Sequence, residues 1–211
     1  MGDTIRDTLT HIFNADDIAL KFIHDWHNNQ PHIEAHTSGS TGTPKKIQLL
    51  KQDMVESAIA TCKFFGIDKS STLVLPLSAN YIAGKMIIVR AIVSGAKLWI
   101  EEPSNNPIKK DYGQIDLLPI VPSQIDWITS ESTYTNQIRN LIIGGGAISP
   151  KREHALISSD SSWPASLPSA FNFLKKSKVL YSLHLSIPKL FKIFTLGTFK
   201  LLLKASLQLI Y

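Results

Sequence analysis

The sequence predicts an α/β fold, a mostly parallel sheet with flanking helices. Three observations carry that expectation. Short apolar runs of strand character alternate with longer segments of helical period. The helical segments stop near glycine, at Gly66 and Gly95. The segments between them are rich in proline, asparagine and hydroxyl residues. A length of 211 residues with 44% hydrophobic and 18% charged side chains supplies enough apolar material for a core, which excludes a chain disordered or of low complexity throughout. The one cysteine, Cys62, leaves no internal disulfide framework and no paired-cysteine zinc site.

Each element follows from local pattern. Asn14 or Asp16 can cap a helix whose Ile18, Phe22, Ile23 and Trp26 form one apolar stripe. After Pro31, residues 32–37 read as a short strand entering a Gly/Ser/Thr loop, and Lys46–Leu50 resumes as a strand. Asp53 opens an amphipathic helix through Phe65, where Cys62 is expected as a small buried hydrophobe. Thr72–Leu77 reads as a buried strand closed by Pro76. Ile82–Val93 reads as a helix ending at Gly95, Lys97–Ile100 as a strand, and residues 103–113 as a loop. Leu117–Val121, a turn at Pro122, a helix near Ser123–Thr129 and a strand over Gln137–Ile143 complete the body. No internal repeat is visible.

The segment Thr37-Ser38-Gly39-Ser40-Thr41-Gly42-Thr43-Pro44-Lys45-Lys46 carries the clearest chemical signal. Two glycines let backbone N–H groups approach an anion, hydroxyls add donors, and two lysines add charge, as a polyphosphate requires. It is not a Walker A loop, because its glycine spacing is shorter, Pro44 precedes the lysines and a strand follows. A flexible linker is the plainer reading of the same composition.

Ser38–Lys45 resembles the phosphate-loop signature of the adenylate-forming superfamily of acyl-CoA synthetases and ligases. Leu75–Met86 is similar to that family's acyl-pocket segment, and Leu141–Ser149, with its Gly144-Gly145-Gly146 turn, to its adenine-pocket strand. With Val121–Gln124, the resemblance narrows to the o-succinylbenzoate–CoA ligases of menaquinone biosynthesis and covers residues 30–157. It implies part of the N-terminal domain of an adenylate-forming enzyme. The implied substrates are ATP with Mg2+, a small-molecule carboxylate and CoA, which pass through an acyl-adenylate to a thioester. It further implies that Thr37, Ser38, Gly39, Ser40, Thr41, Gly42, Thr43 and Lys45 hold the phosphates, Thr41 and Lys45 acting most directly in catalysis. Gly145, Gly146 and Ala147 would lie against adenine, and Tyr81, Gly84 and Lys85 would meet the acid.

Other readings stand beside these. Lys85 can pair with a substrate carboxylate or be a solvated helix lysine. Ser123 and Gln124 can touch substrate or cap the next helix, the cap being preferred. His36 is expected as a surface or strand histidine. Asn80-Tyr81 stands where many family members place a histidine. His24, His27 and His32 lack acidic partners at ligand spacing, so no metal ligands are assigned. The family's later glutamate for Mg2+ and aspartate for ribose do not follow, so weak or no activity is expected of this chain.

Charge divides the chain. Residues 1–160 carry 15 basic and 17 acidic groups, and residues 161–211 carry seven lysines and no acid. The expected organisation is therefore a ligase-like body over 1–158 and an anomalous basic, hydrophobic tail over 159–211. Three readings compete for the tail: a truncated or frame-shifted sequence, which is favoured; a basic amphipathic segment for anionic membrane surfaces, the alternative function for an incomplete nucleotide-binding fragment; and nucleic-acid binding, which is ranked last. Without an apolar leader or a membrane-length apolar run, a cytoplasmic location is expected.

Overall fold

The computed structural model describes residues 2–36, 46–130, 134–146 and 148–158, all within one compact unit, Met1–Ala170. Thirteen elements follow in chain order among the described residues: α1 (Gly2–Leu9), β1 (Ile12–Phe13), α2 (Asp17–His27), β2 (His32–His36), β3 (Lys46–Leu50), α3 (Lys51–Phe65), β4 (Thr72–Leu75), α4 (Ile82–Ser94), β5 (Lys97–Ile100), β6 (Leu118–Ile120), α5 (Ile125–Ser130), β7 (Leu141–Ile143) and α6 (Pro150–Ser158). The tail over 159–211, with all three of its readings, lies outside the described residues.

Helix ends obey local chemistry. The Asp16 carboxylate accepts the Ala19 N–H at 2.7 Å and starts α2. Gly66 and Gly95 end α3 and α4 with φ of 65° and 70°, a left-handed backbone that glycine adopts without strain. The α2 stripe needs one correction. Ala19, Phe22 and Ile23 are buried, whereas Ile18 is exposed. On a helical wheel Ala19 falls in the middle of the arc set by Phe22, Trp26 and Ile23, and Ile18 falls at its edge. α3 starts at Lys51, two residues before the expected Asp53, because the Lys51 N–H donates to the Pro31 carbonyl at 2.9 Å. Cys62 is buried, as its helical position predicts.

β1, β5 and β4 form a parallel sheet in that order, with Leu98 opposite both Ile12 and Leu73. β6 and β7 form a parallel pair with Leu118 opposite Leu141. A parallel bridge between Leu73 and Leu117, with the Val74 N–H donating to Leu117 O at 3.2 Å, joins the two groups. The strands therefore run 1-5-4-6-7. α4 packs at the centre and buries every residue from Gly84 to Val89, the all-round burial expected of a helix enclosed by a doubly covered sheet. Leu73, Leu75, Ile87, Ile88 and Leu98 are fully buried in the core they share. β2 and β3 depart from the parallel expectation and form a separate antiparallel pair.

β7 covers Leu141–Ile143, shorter than the expected strand over Gln137–Ile143. Thr135–Gln137 forms a 3-10 turn, and the Asn140 amide donates to Asp116 O at 2.9 Å. Asp116 organises this amino end of the sheet: its carboxylate accepts the Thr72 N–H at 2.8 Å and the Gln114 amide at 3.0 Å, with Arg139 3.4 Å away.

β5 and β6 lie on opposite sides of β4, so the chain reverses direction across the sheet between β4 and β6. The carboxyl ends of strands at such a switch point form a crevice. Buried Gln124 spans it. Its Oε1 accepts the Val121 N–H at 3.0 Å after β6, and its Nε2 donates to Ser104 O at 2.7 Å, with Pro76 O at 3.5 Å after β4. The expected cap is thus realised, with a bridge to two other loops added to it.

Two predictions follow from these contacts. Gln124→Ala removes the partner of the Val121 N–H and of Ser104 O, both only partly buried, and is expected to cost about 1 kcal/mol, read as a lower urea midpoint at unchanged slope. His27 donates to or accepts from Thr8 Oγ1 at 3.0 Å, and burial, followed by the charge of Lys51, holds its pKa below the usual imidazole range. The folded state therefore disfavours imidazolium. This contribution to stability is present above the unfolded value of about 6.5 and is lost as pH falls through the lower folded value. The urea midpoint should drop between pH 7.5 and 5.5, and His27→Gln should reduce that drop.

Candidate active site

The hydroxyl-rich segment Thr37–Lys45 lies outside the described residues, but both of its ends are placed. His36 and Lys46 are directly opposite each other in the β2/β3 ladder, and the Lys46 ammonium lies 3.0 Å from the Glu34 carboxylate. A β-bridge runs from His36 to Tyr81, the residue that precedes α4. The entry to the expected phosphate loop and the start of α4, within the expected acyl segment, are therefore backbone neighbours. His36 is half-buried at the end of its strand, as expected. Tyr81 is exposed, with extended backbone and its N–H donating to Ser78 O at 3.3 Å.

Gly84 and Lys85 follow one helical turn later. A Cβ at Gly84 would stand 2.4 Å from Ser78 O and 2.8 Å from its carbonyl carbon. Any side chain there would collide with backbone, so glycine permits α4 to close onto Ser78–Ala79. The visible work of Gly84 is this close approach.

Lys85 is buried at 8% exposure. It is not the solvated helix lysine of the plainer reading. Its ammonium donates to Ala79 O at 2.7 Å and sits 4.9 Å from the centre of the Phe22 ring. Burial holds its pKa below the usual lysine range, against the attraction of Asp25. Phe22 was legible only as a core residue of α2; no sequence signal paired it with a cation 63 positions on.

At the carboxyl end of β7 the chain turns through three exposed glycines. The Gly144 N–H donates to Ile120 O at 3.1 Å and extends the β6/β7 pairing into the turn. Gly145 has φ of 82°, and a Cβ on it would meet Val121 Cγ1 at 3.1 Å. Conformation and space both favour glycine here. A Cβ at Gly146 would lie 3.7 Å from Pro122 Cγ, an ordinary contact. Ala147 lies outside the described residues. The turn leaves bare backbone beside Val121-Pro122, a surface on which a planar ring can rest.

The structure thus brings Tyr81, Gly84 and Lys85 together at the start of α4, and Gly145 and Gly146 together with Val121 and Pro122 after β6 and β7. The role of Gln124 between these loops was visible in the sequence only as a cap. The pairing of His36 with Tyr81, 45 residues apart, had no local signal. Among the described residues no three Asp, Glu, His or Cys side chains gather to hold a metal ion. Among the described residues no helix is long and apolar enough to cross a membrane.

Known proteins resemble this chain in fold and in sequence. The acyl-CoA synthetase (AMP-forming)/AMP-acid ligase II-like protein of Dyadobacter fermentans aligns with a TM-score of 0.61 at 25% identity, over 71% of this chain and 45% of its own. The 2-succinylbenzoate–CoA ligase of Listeria monocytogenes is 23% identical over 136 residues, 62% of this chain and 29% of its own. The nonribosomal peptide synthetase tcpP of Claviceps purpurea is 29% identical over 118 residues, 54% of this chain and 6% of its own. The chain spans less than a third of the length of these two curated relatives. Residues 8–158 match the family model described as AMP-binding enzyme. With more than half its length inside that match, and with an α/β fold that corresponds to part of the family's larger domain, the chain belongs to the adenylate-forming, AMP-binding enzyme family.

Proposed function

We propose that this chain carries the phosphate- and acid-binding part of an ATP-dependent carboxylate–CoA ligase, with 2-succinylbenzoate as the acid. The observation that carries the reading is the His36–Tyr81 bridge. It sets the base of the hydroxyl-rich loop beside the start of α4, at the end of the molecule where β4, β6 and β7 finish. Membership of the AMP-binding family supports the reaction class. The curated relatives that bear the 2-succinylbenzoate name support the choice of acid.

The chemistry asks three things of the protein. A carboxylate oxygen attacks the α-phosphorus of ATP, the bond to the β-phosphate oxygen breaks, and pyrophosphate leaves. A thiol of CoA then attacks the acyl carbonyl, and AMP leaves. The departing pyrophosphate needs donors and positive charge, which Ser38, Ser40, Thr41, Thr43 and Lys45 supply in this reading, with backbone N–H groups around Gly39 and Gly42. Thr37 sits at the loop entry. Adenine lies on the backbone of Gly145, Gly146 and Ala147, where φ of 82° at Gly145 favours glycine and so a bare backbone. Tyr81 and Gly84 border the acid. Magnesium, when bound with ATP, neutralises phosphate charge.

Equilibrium binding of ATP to the full chain tests the reading, alongside 2-succinylbenzoate-dependent exchange between ATP and pyrophosphate. ATP should bind, and Lys45→Ala should weaken it by about 10- to 100-fold, the loss of charge-assisted hydrogen bonds. Exchange should be weak and should vanish in Thr41→Ala and Lys45→Ala. A chain that does not bind ATP, or a Lys45→Ala chain that binds it equally well, would overturn the proposal.

A further inference from the structure

Val121 is held through both of its backbone polar groups by one residue. Its N–H donates to Gln124 Oε1 at 3.0 Å, and its carbonyl accepts the Gln124 N–H at 2.9 Å. The pairing of β6 with β7 ends one residue earlier, where the Gly144 N–H donates to Ile120 O. Pro122, which follows, has no N–H to offer. Gln124 therefore takes over where the sheet stops. A cap for the 3-10 turn Pro122–Gln124 needs no more than this. The same side chain goes further: at 2% exposure, its Nε2 donates to Ser104 O, 20 residues back in the chain, at 2.7 Å.

The position of Val121 reaches the glycine turn directly. A Cβ on Gly145 would stand 3.1 Å from Val121 Cγ1, and one on Gly146 would stand 3.7 Å from Pro122 Cγ. The bare backbone proposed to carry adenine is thus seated on the two residues that Gln124 anchors, and close packing passes small shifts from one to the other. The hydroxyl-rich loop is held differently. Its base is set by the β2/β3 ladder and the His36–Tyr81 bridge. The partners of the Gln124 side chain, Val121, Ser104 and Pro76, belong to none of β2, β3 and α4. Separate contacts therefore place the two ends of the proposed nucleotide site.

We infer that Gln124 is a positioning residue for the purine end of the nucleotide: through Val121 it sets the Gly144–Gly146 backbone against the ring, and it leaves the grip on the phosphates unchanged. The inference rests on the ligase reading for where the base lies, and it deepens that reading.

Calorimetric titration of the full chain with AMP and, separately, with inorganic tripolyphosphate tests it. The tripolyphosphate signal counted is the part that Lys45→Ala removes. Gln124→Met keeps the length of the side chain and loses its hydrogen bonds. It should weaken AMP binding about 5- to 10-fold, as expected for one lost polar tie, and change tripolyphosphate binding less than about twofold. A purely structural role has a different signature, because partial unfolding reduces every affinity by the same folded fraction. Equal weakening of both ligands, or no weakening of AMP in a folded variant, would overturn the inference. So would a wild-type chain that binds tripolyphosphate but not AMP. A wild-type chain that binds neither overturns the ligase reading and the inference with it. Circular dichroism establishes that the variant folds. If it does not, hydrogen exchange on the wild-type chain decides: AMP should slow exchange of the Val121 and Gln124 amides, and tripolyphosphate should not. Slowing by both ligands, or by neither, overturns the role of Gln124.

Discussion

The side-chain amide of Gln124 fixes the end of the molecule where the candidate site lies. Three parallel strands finish there, and their loops have no ladder of their own to hold them. Gln124 takes the Val121 N–H on one atom and the Ser104 carbonyl on the other, with Pro76 O at the margin of reach. One planar group thereby links the segments after β4, β5 and β6. A buried amide with both ends used is a satisfied polar network; with either end free it would be a liability. The glycine turn after β7 depends on this indirectly, because Gly145 rests against Val121, the residue that Gln124 holds.

The opposite end of the sheet is built on the same principle with a different group. Asp116 accepts from Thr72, Gln114 and Arg139 and so ties β4 to the strands on its far side. An approximately 350 Å³ polar recess lies there, lined by Asp68, Tyr112, Asp116 and Arg139 among others. Its carboxylates are already engaged: Asp68 accepts from Ser70 and Ser71, and Asp116 as above. The recess is thus saturated by its own walls, in contrast to the buried ammonium at the other end.

Elements with strong local signals were legible in the sequence, and those fixed by tertiary contacts were not. The run from β4 through α4 to β5 could be read from Pro76, Gly95 and the apolar runs, since proline and glycine act through their own backbones. On α2 the large apolar side chains mark a stripe that includes Ile18, whereas the buried arc takes in the small Ala19 and leaves Ile18 exposed. β7 lost its first residues to Asn140 and the preceding turn, where a side chain claimed a carbonyl across the sheet. Of the candidate site, glycine geometry was legible because φ and close approach are properties of the residue type. The state of Lys85 was not. Its burial beside Phe22 and Ala79 comes through folding, and among the described residues the nearby Asp25 and Glu34 pair with Lys21 and Lys46 instead.

Gly84 couples the two halves of the candidate site. Its missing side chain lets α4 press onto Ser78 O, so that the first turn of the helix packs directly on the segment Ser78–Tyr81. Tyr81 belongs to that segment, and its bridge to His36 passes the constraint to the end of β2. A larger residue at 84 must push the helix away from backbone, which cannot yield as a flexible side chain would. The displacement would reach Tyr81 first and the base of the hydroxyl-rich loop next, while Gln124 holds the loops after β5 and β6 where they are. The end of β2 and the start of α4 are therefore set against each other by a helix–loop contact that tolerates no Cβ, and in the proposed ligase reading the mutual placement of phosphate and acid depends on that packing as much as on the donors themselves.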